Sequence, residues 1–170
     1  MKHIIVFALL GSLCTVTACG YQPLLKKRDV PLEAVLDAVE NQTPYPHLAS
    51  SCTAALRSAL RSKNVKLLSQ TSPRSVRVTV RLFAVTVKSE AIQVVQQQEL
   101  PVNRRWQLDA LVTVRDAEGQ AVYGPDVISV TVLSPVPENL SGELALSEYS
   151  RKQLVKELAE KVSLLVIQPM

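Results

Sequence analysis

The sequence predicts an α+β fold in which two amphipathic helices pack on one face of a roughly four-stranded, mostly antiparallel sheet. Two stretches carry apolar residues at every third or fourth position, as helices with one buried face do. Other stretches alternate apolar and polar residues, as strands with one buried face do. The chain has 170 residues, of which 47% are hydrophobic and 20% charged. That composition suits a single globular domain and argues against a disordered chain.

The first predicted helix begins near Pro46, because proline is favourable at a helix start. Its apolar residues repeat every four positions, at Leu48, Cys52, Leu56 and Leu60. Cys52 therefore faces the core, and we interpret it as a packing residue without a chemical role. The pair Lys63 and Asn64 predicts the helix end, because asparagine tolerates the left-handed conformation that is common there.

The first long strand is predicted from Ser75 onwards, where every second residue is apolar and the polar row is formed by Arg77, Thr79 and Arg81. The alternation changes at Phe83, which predicts a bulge or the end of burial. The polar stretch 88–103, which contains three consecutive glutamines at 96–98, predicts a loop or an irregular edge.

The rest of the chain predicts a hairpin followed by the second helix. Residues 106–115 and 127–133 alternate, and a turn at 116–119 lies between them. Apolar residues at helical spacing follow, at Leu154, Leu158, Val162 and Leu165, and Ser147 is a candidate N-cap. Glu157 and Lys161 are spaced for an i, i+4 ion pair on the polar side. Residues 31–41 are ambiguous: their apolar positions have helical spacing, so the local pattern favours a helix.

The N-terminus has the layout of a secretory signal peptide. Lys2 provides a basic start, residues 4–13 are mainly apolar, and Val16-Thr17-Ala18-Cys19 resembles the bacterial lipobox. The pattern predicts cleavage between Ala18 and Cys19 and attachment of lipid to Cys19. The alternative is an ordinary signal peptide in which Cys19 is incidental. With the lipobox, the chain divides into a signal peptide (1–18), a lipidated tether (19–29) and one domain (30–168).

The same segment predicts the location of the protein. Several acyl chains on one cysteine hold a protein firmly at a bilayer, because each buried methylene group contributes about 0.8 kcal/mol. In lipoproteins an aspartate after the cysteine favours the inner membrane, and here that position is Gly20. We therefore expect a lipid anchor in the outer membrane of a Gram-negative bacterium, with the domain facing the periplasm.

The residue inventory argues against catalysis. After cleavage one histidine remains, His47, so neither an HExxH zinc helix nor a two-histidine site is possible. The sequence contains no GxSxG elbow, P-loop or GxGxxG motif. We expect no enzyme activity, no catalytic residue, no metal site and no cofactor. Nucleic-acid binding is not expected either, because the positive charge is dispersed and aromatic residues are few.

Two arginines are the candidate ligand contacts. On an alternating strand Arg77 and Arg81 leave the same face about 13 Å apart. That spacing suits two phosphates, or a phosphate and a carboxylate, of one large amphiphile, and guanidinium groups bind phosphate well. The alternative is an ordinary solvated row of charges.

Three segments in order resemble the LptE family of lipopolysaccharide-assembly lipoproteins. They are Cys19-Gly20-Tyr21-Gln22-Pro23-Leu24, Val39-Glu40-Asn41-Gln42-Thr43-Pro44 and the helix that begins at Leu48. The resemblance implies two helices on a four-stranded sheet. It also implies that Ala34 to Glu40 form a strand, against the local helical pattern, and we adopt the strand.

The resemblance further implies a function. LptE-like proteins occupy the lumen of the LptD β-barrel, help it assemble and contact lipopolysaccharide on its way to the cell surface. The expected partners are thus an LptD-like outer-membrane barrel, lipopolysaccharide and the membrane. No lipopolysaccharide contact is implied residue by residue, so Arg77 and Arg81 are candidates from the strand pattern alone. The alternative function is an auxiliary lipoprotein of an ABC-type or MCE-type lipid transport system.

Overall fold

In the part of the chain that the structure describes, the fold is two helices on a six-stranded mixed sheet. The computed structural model describes residues 32–95, 98–136 and 140–167. The predicted signal peptide and tether lie outside them. The strands are β1 (Glu33–Leu36), β2 (Glu40–Asn41), β3 (Lys66–Leu68), β4 (Ser75–Val95), β5 (Gln98–Arg115) and β6 (Ala121–Pro135), and the helices are α1 (Leu48–Ser62) and α2 (Leu140–Ile167).

The sheet has the order β3-β1-β4-β5-β6, and β2 pairs with β4 beside β1. β1 lies parallel to β3 and β4, and β2 lies parallel to β4. The long strands β4, β5 and β6 form an antiparallel meander. The predicted α+β class and the predicted hairpin are confirmed. The sheet has six strands instead of about four because the short parallel strands β1, β2 and β3 extend it.

Both helices pack on the same sheet face. The core combines one side of α1, one side of α2 and the inward row of the sheet, and its largest fully buried side chains include Leu56, Leu60, Leu82, Leu108, Leu154 and Leu158. The indole N–H of Trp106 donates to the Ser134 hydroxyl at 3.1 Å inside this core. Asn64 has φ of 60°, so the predicted left-handed helix end is confirmed.

The local helical prediction for 31–41 is wrong. The strand adopted for 34–40 is found as two short strands, Glu33–Leu36 and Glu40–Asn41, and residues 37–39 between them form no strand. Within this stretch β1 pairs with both β3 and β4, and β2 pairs with β4. The Asp37 N–H also donates to the Val78 carbonyl at 3.0 Å. β1 has a strand partner on both sides and buries Ala34 and Val35, so packing within the sheet prevails over the local preference.

The polar stretch 88–103 is not a loop. β4 continues to Val95 and β5 begins at Gln98, so the two strands form a ribbon that runs past the end of β6. The strands satisfy each other's backbone groups, and the ribbon therefore needs no apolar row for pairing. The predicted bulge is confirmed, since the register shifts between Leu82 and Ala84.

Two details of α2 differ from the sequence prediction. The helix begins at Leu140, so Ser147 lies inside it, and its hydroxyl donates to the Leu144 carbonyl at 2.9 Å. A serine that bonds back to its own helix in this way does not cap it. Lys161, expected to pair with Glu157, donates instead to the Ser129 carbonyl oxygen at 3.0 Å.

Candidate functional site

The two cysteines of the predicted mature chain have different positions. Cys19, the predicted lipid acceptor, lies outside the described residues, and its acylation stays a prediction. Cys52 is buried on the core face of α1, as its spacing predicted. Burial raises the pKa of the Cys52 thiol to about 12, because a thiolate there would lose its hydration. A thiol that stays protonated is a poor nucleophile, which agrees with a packing role.

Arg77 and Arg81 lie on the sheet face opposite the helices. Their neighbours Val76, Val78 and Val80 are buried in the core, so the intervening side chains project from the other side. The side chains of Arg77 and Arg81 are 49% and 45% exposed. The strand pattern therefore placed both guanidinium groups correctly.

Each of these arginines already has a carboxylate neighbour from the segment beside β4. The Nε of Arg81 donates to Glu40 Oε2 at 2.6 Å. The Nε of Arg77 lies 3.9 Å from Asp37 Oδ1, and its Nη2 donates to Thr71 Oγ1 at 2.9 Å. Glu40 is close to Arg81 because the parallel register of β2 and β4 places these two residues opposite each other. A phosphate on this face must therefore share the guanidinium groups with acidic side chains.

A third ion pair continues the same row. Lys66 Nζ lies 3.1 Å from Glu33 Oε1, and the Ser72 hydroxyl donates to the other carboxylate oxygen at 2.7 Å. The hydrogen bond from Ser72, followed by that from Lys66, holds the pKa of the Glu33 carboxyl below its usual value. The sheet face near β1 thus carries three pairs of opposite charges, and both Arg77 and Arg81 have an acidic neighbour.

A cavity lies between the start of α1 and the middle of α2. It has a volume of about 440 Å³ and is lined by Tyr45, Pro46, His47, Leu48, Ser51, Glu148, Arg151 and Lys152. The Arg151 guanidinium lies 4.7 Å from the centre of the Tyr45 ring, in a cation–π contact. Glu148 and Lys152 pair along the helix at 2.7 Å, and this contact lowers the pKa of Glu148.

Neither Tyr45 nor Arg151 stands out as a candidate site residue in the sequence. Their association could not be read locally, since one precedes α1 and the other lies in α2. A tyrosine between two prolines ahead of a helix was the only available signal. His47 lines the cavity and precedes α1 without a side-chain cap, so it has no partner typical of a catalytic base in the described contacts.

The described part of the chain contains neither a metal-binding cluster nor a helix suited to span a membrane. In residues 32–95, 98–136 and 140–167 no group of three or more His, Cys, Asp or Glu side chains could hold a metal ion. In the same ranges neither helix is long and apolar enough to cross a membrane.

Two solved structures have a fold similar to that of this chain. No protein-family model and no curated protein matches the chain. A minor lipoprotein from Acinetobacter baumannii superposes with a TM-score of 0.53 and 13% identity, over 81% of this chain and 91% of that one. A hypothetical protein from Chlamydia trachomatis superposes with a TM-score of 0.54 and 11% identity, over 82% and 100%. The chain therefore shares its fold with a bacterial lipoprotein.

Proposed function

We propose that the protein is an outer-membrane lipoprotein that assists lipopolysaccharide assembly as the plug and partner of an LptD-like β-barrel. The observation that carries this proposal is the pair of strands β1 and β2. The likeness to the LptE family required a strand at 34–40 where the local pattern favoured a helix, and the chain forms strands at Glu33–Leu36 and Glu40–Asn41. A resemblance that corrects the local pattern supports the family assignment better than one that repeats it.

The N-terminal motif and the fold support the lipoprotein part of the proposal independently. Cys19 follows a predicted signal peptide whose end resembles a lipobox, and the domain shares its fold with a minor lipoprotein from Acinetobacter baumannii. The predicted attachment would hold the domain at the membrane surface through its acyl chains.

Co-purification tests the proposed partner. A tagged full-length chain is extracted from cell envelopes in mild detergent, and its partners are identified by mass spectrometry. We expect one outer-membrane β-barrel in stoichiometric amount. An inner-membrane ABC or MCE transport complex in its place would favour the auxiliary-lipoprotein function and overturn the proposal. Recovery of the tagged chain without any barrel would overturn it as well.

Lipopolysaccharide binding through Arg77 and Arg81 is a separate part of the proposal. Exposed charge pairs contribute at most about 1 kcal/mol each, so Arg77→Ala/Arg81→Ala should weaken binding about fivefold to tenfold at moderate salt. Arg57→Ala/Arg61→Ala removes the same charge from α1 and is the matched control. Glu40→Gln should tighten binding, since it removes the carboxylate that occupies Arg81. Titration of detergent-solubilised protein with lipopolysaccharide measures all three, and equal affinities would show that this face is only solvated.

A further inference from the structure

The outer edge of β6 is an unpaired strand edge. β6 is the last strand of the sheet, and β5 is its only partner among the described residues. The stretch Val127–Ser134 contains no charged residue, no proline and no glycine. Such an uncharged, β-branched edge is the kind that adds a further strand, and proteins usually protect it with charges or prolines. The backbone register and the sequence of β6 indicate which strand would pair with this edge.

The register shows which backbone groups of β6 face the free edge. The backbone carbonyl of Leu82 accepts from the Gln42 N–H on the far side of β4. The backbone N–H and C=O of Leu82 therefore point away from β5. Ala110 lies opposite Leu82 on β5, so by the alternation of antiparallel ladders its backbone N–H and C=O point towards β6. Ala110 lies opposite Ile128 in a register that is regular from Asn103 to Val112. The groups that face outward on β6 are consequently those of Val127, Ser129, Thr131 and Leu133.

The sequence along this edge is symmetric about Val130. Valine and leucine lie three positions away on either side, isoleucine and valine two, and serine and threonine one. Pro125 and Pro135 bound the run at five positions on either side. Val127 and Leu133, the outermost apolar pair, are 58% and 59% exposed. A strand with this symmetry is complementary to a second copy of itself.

From this symmetry we infer that β6 pairs edge to edge with β6 of a second copy of the chain, antiparallel and about a two-fold axis at Val130. This register places Val127 opposite Leu133 of the other copy and Ser129 opposite Thr131. The outward N–H and C=O groups of these residues then bond across the axis. Each pair joins side chains of the same class, and the prolines end the pairing because they lack an N–H. A two-fold pairing closes after two copies, so it does not lead to fibres.

Two features of α2 relate to this edge. Lys161 donates to the Ser129 carbonyl oxygen, one of the outward groups, at 3.0 Å. It therefore occupies in the single chain a position that the second copy would take, as lysines on natural strand edges do. Leu164, one turn further along, lies on the same helix flank as Lys161 and is 47% exposed. Leu164 therefore adds an exposed apolar side chain on the helix side, whereas Val127 and Leu133 project from the opposite face of the sheet.

Cysteine cross-linking in cells tests the register. In the full-length chain Val127→Cys/Leu133→Cys places two thiols opposite each other in the dimer, within the Cα separation that a disulfide allows. Within one chain the same residues are about 20 Å apart, so they cannot react with each other. We expect a disulfide-linked species of twice the chain mass on non-reducing gels. Val127→Cys and Leu133→Cys alone are the matched controls, and neither should give it.

The outcomes separate the possible occupants of the edge. Absence of the dimer in the double variant overturns the inference, and so does equal cross-linking in the single variants. A disulfide to a protein of different mass would show that another strand occupies the edge, which also overturns it. The inference goes beyond the proposed function and concerns copies of the chain that are not inside a barrel, so a failed barrel co-purification leaves the cross-link unchanged.

A charge pair on the same face provides a second test. In the proposed register residue 129 faces residue 131 of the other copy, so Ser129→Lys/Thr131→Lys should abolish the dimer. Ser129→Lys/Thr131→Glu alters the same two exposed positions and should retain it. Light scattering of the detergent-solubilised full chain measures the mass, and circular dichroism verifies that both variants are folded. Equal masses for the two variants would contradict the register.

Discussion

At the scale of single residues, Cys52 shows how burial determines chemistry. The thiol lies on the core face of α1, and no cysteine partner lies near it in the described residues. Its pKa of about 12 compares with an ordinary value of 9.0, and the cause is desolvation. A buried thiol of this kind contributes to packing as a small apolar group. It also makes stability depend on pH in a defined direction.

The sign of that dependence follows from the two pKa values. Below pH 9 the thiol is protonated in both the folded and the unfolded chain, so it has no effect on the pH profile. Between pH 9 and 12 the unfolded thiol ionises while the folded one does not. The contribution of Cys52 to stability should therefore fall by about 1.4 kcal/mol per pH unit in that window. Urea unfolding of the parent and of Cys52→Ala at pH 7.5 and pH 10 measures the change, and a constant difference between them would contradict it.

The arginine row shows which part of a site can be predicted from sequence. Alternation alone placed Arg77 and Arg81 on the open sheet face, because side chains of a strand alternate by geometry. Their partners Asp37 and Glu40 could not be predicted in the same way. Those contacts depend on the register between parallel strands about forty positions apart, which no local pattern encodes.

At the scale of elements, α1 is held by one apolar face. Leu56 is fully buried in the core, whereas its neighbour Arg57 is exposed. The four-residue spacing predicted this face correctly because both the helix period and the burial follow from one stripe. The strength of that stripe can be tested with one residue on each side of it.

Leu56→Asp should destabilise the domain by several kcal/mol, because an unpaired carboxylate would be buried. That is a large part of an ordinary domain stability of about 5–15 kcal/mol. Arg57→Asp is the control, with an expected change within about 0.5 kcal/mol, as is usual for exposed positions. Thermal unfolding followed by circular dichroism compares the two, and similar melting temperatures would mean that the buried face is assigned wrongly.

The strand Ala121–Pro135 contains a glycine that the ladder requires. Gly124 has φ of +74°, and a Cβ at this position would lie against the Val112 carbonyl oxygen and 2.8 Å from the Asp126 nitrogen. Gly119, in the turn before β6, has φ of +85° with no heavy atom within 4 Å of its Cβ position. Both glycines share the backbone conformation, but only one of them also lacks space.

Gly119→Ala should therefore lower the free energy of unfolding by about 1 kcal/mol, because alanine is strained in the left-handed conformation. Gly124→Ala should cost more, because the neighbouring backbone must also shift. Denaturant unfolding of both variants gives the two free energies under the same conditions. If Gly124→Ala were the milder change, the close approach of β5 and β6 at this position would be refuted.

The errors of the sequence analysis at this scale have one physical origin. The local pattern predicted a helix at 31–41, and the polar stretch 88–103 predicted a loop, yet both form strands. In each case the strand is stabilised by hydrogen bonds to a distant or adjacent strand, independently of its own apolar spacing. Apolar spacing reports burial, so it identified α1, the inward row of β4 and the hairpin, all of which pack on the core.

At the scale of the whole molecule, the packed domain and the predicted lipid anchor belong to different parts of the chain. The helices and sheet form a single core without a metal or disulfide in the described residues. The buried side chains of this core are covered by the helices and the sheet themselves. The predicted membrane attachment rests on the N-terminal segment, where Cys19 is the predicted lipid acceptor and Cys14 is predicted to leave with the signal peptide.

Cys19→Ala should abolish acylation and leave a precursor that is uncleaved or mislocalised. The lipobox requires the cysteine at the cleavage site, and the acyl chains on it supply the membrane affinity. Cys14→Ala is a matched control, because Cys14 lies within the predicted signal peptide and leaves with it. Cells that express the parent or either variant are labelled with radioactive palmitate, and the protein is recovered by immunoprecipitation. We expect label in the parent and in Cys14→Ala and none in Cys19→Ala. Label that persists in Cys19→Ala would exclude this cysteine as the acceptor, and the anchor would then have to lie elsewhere.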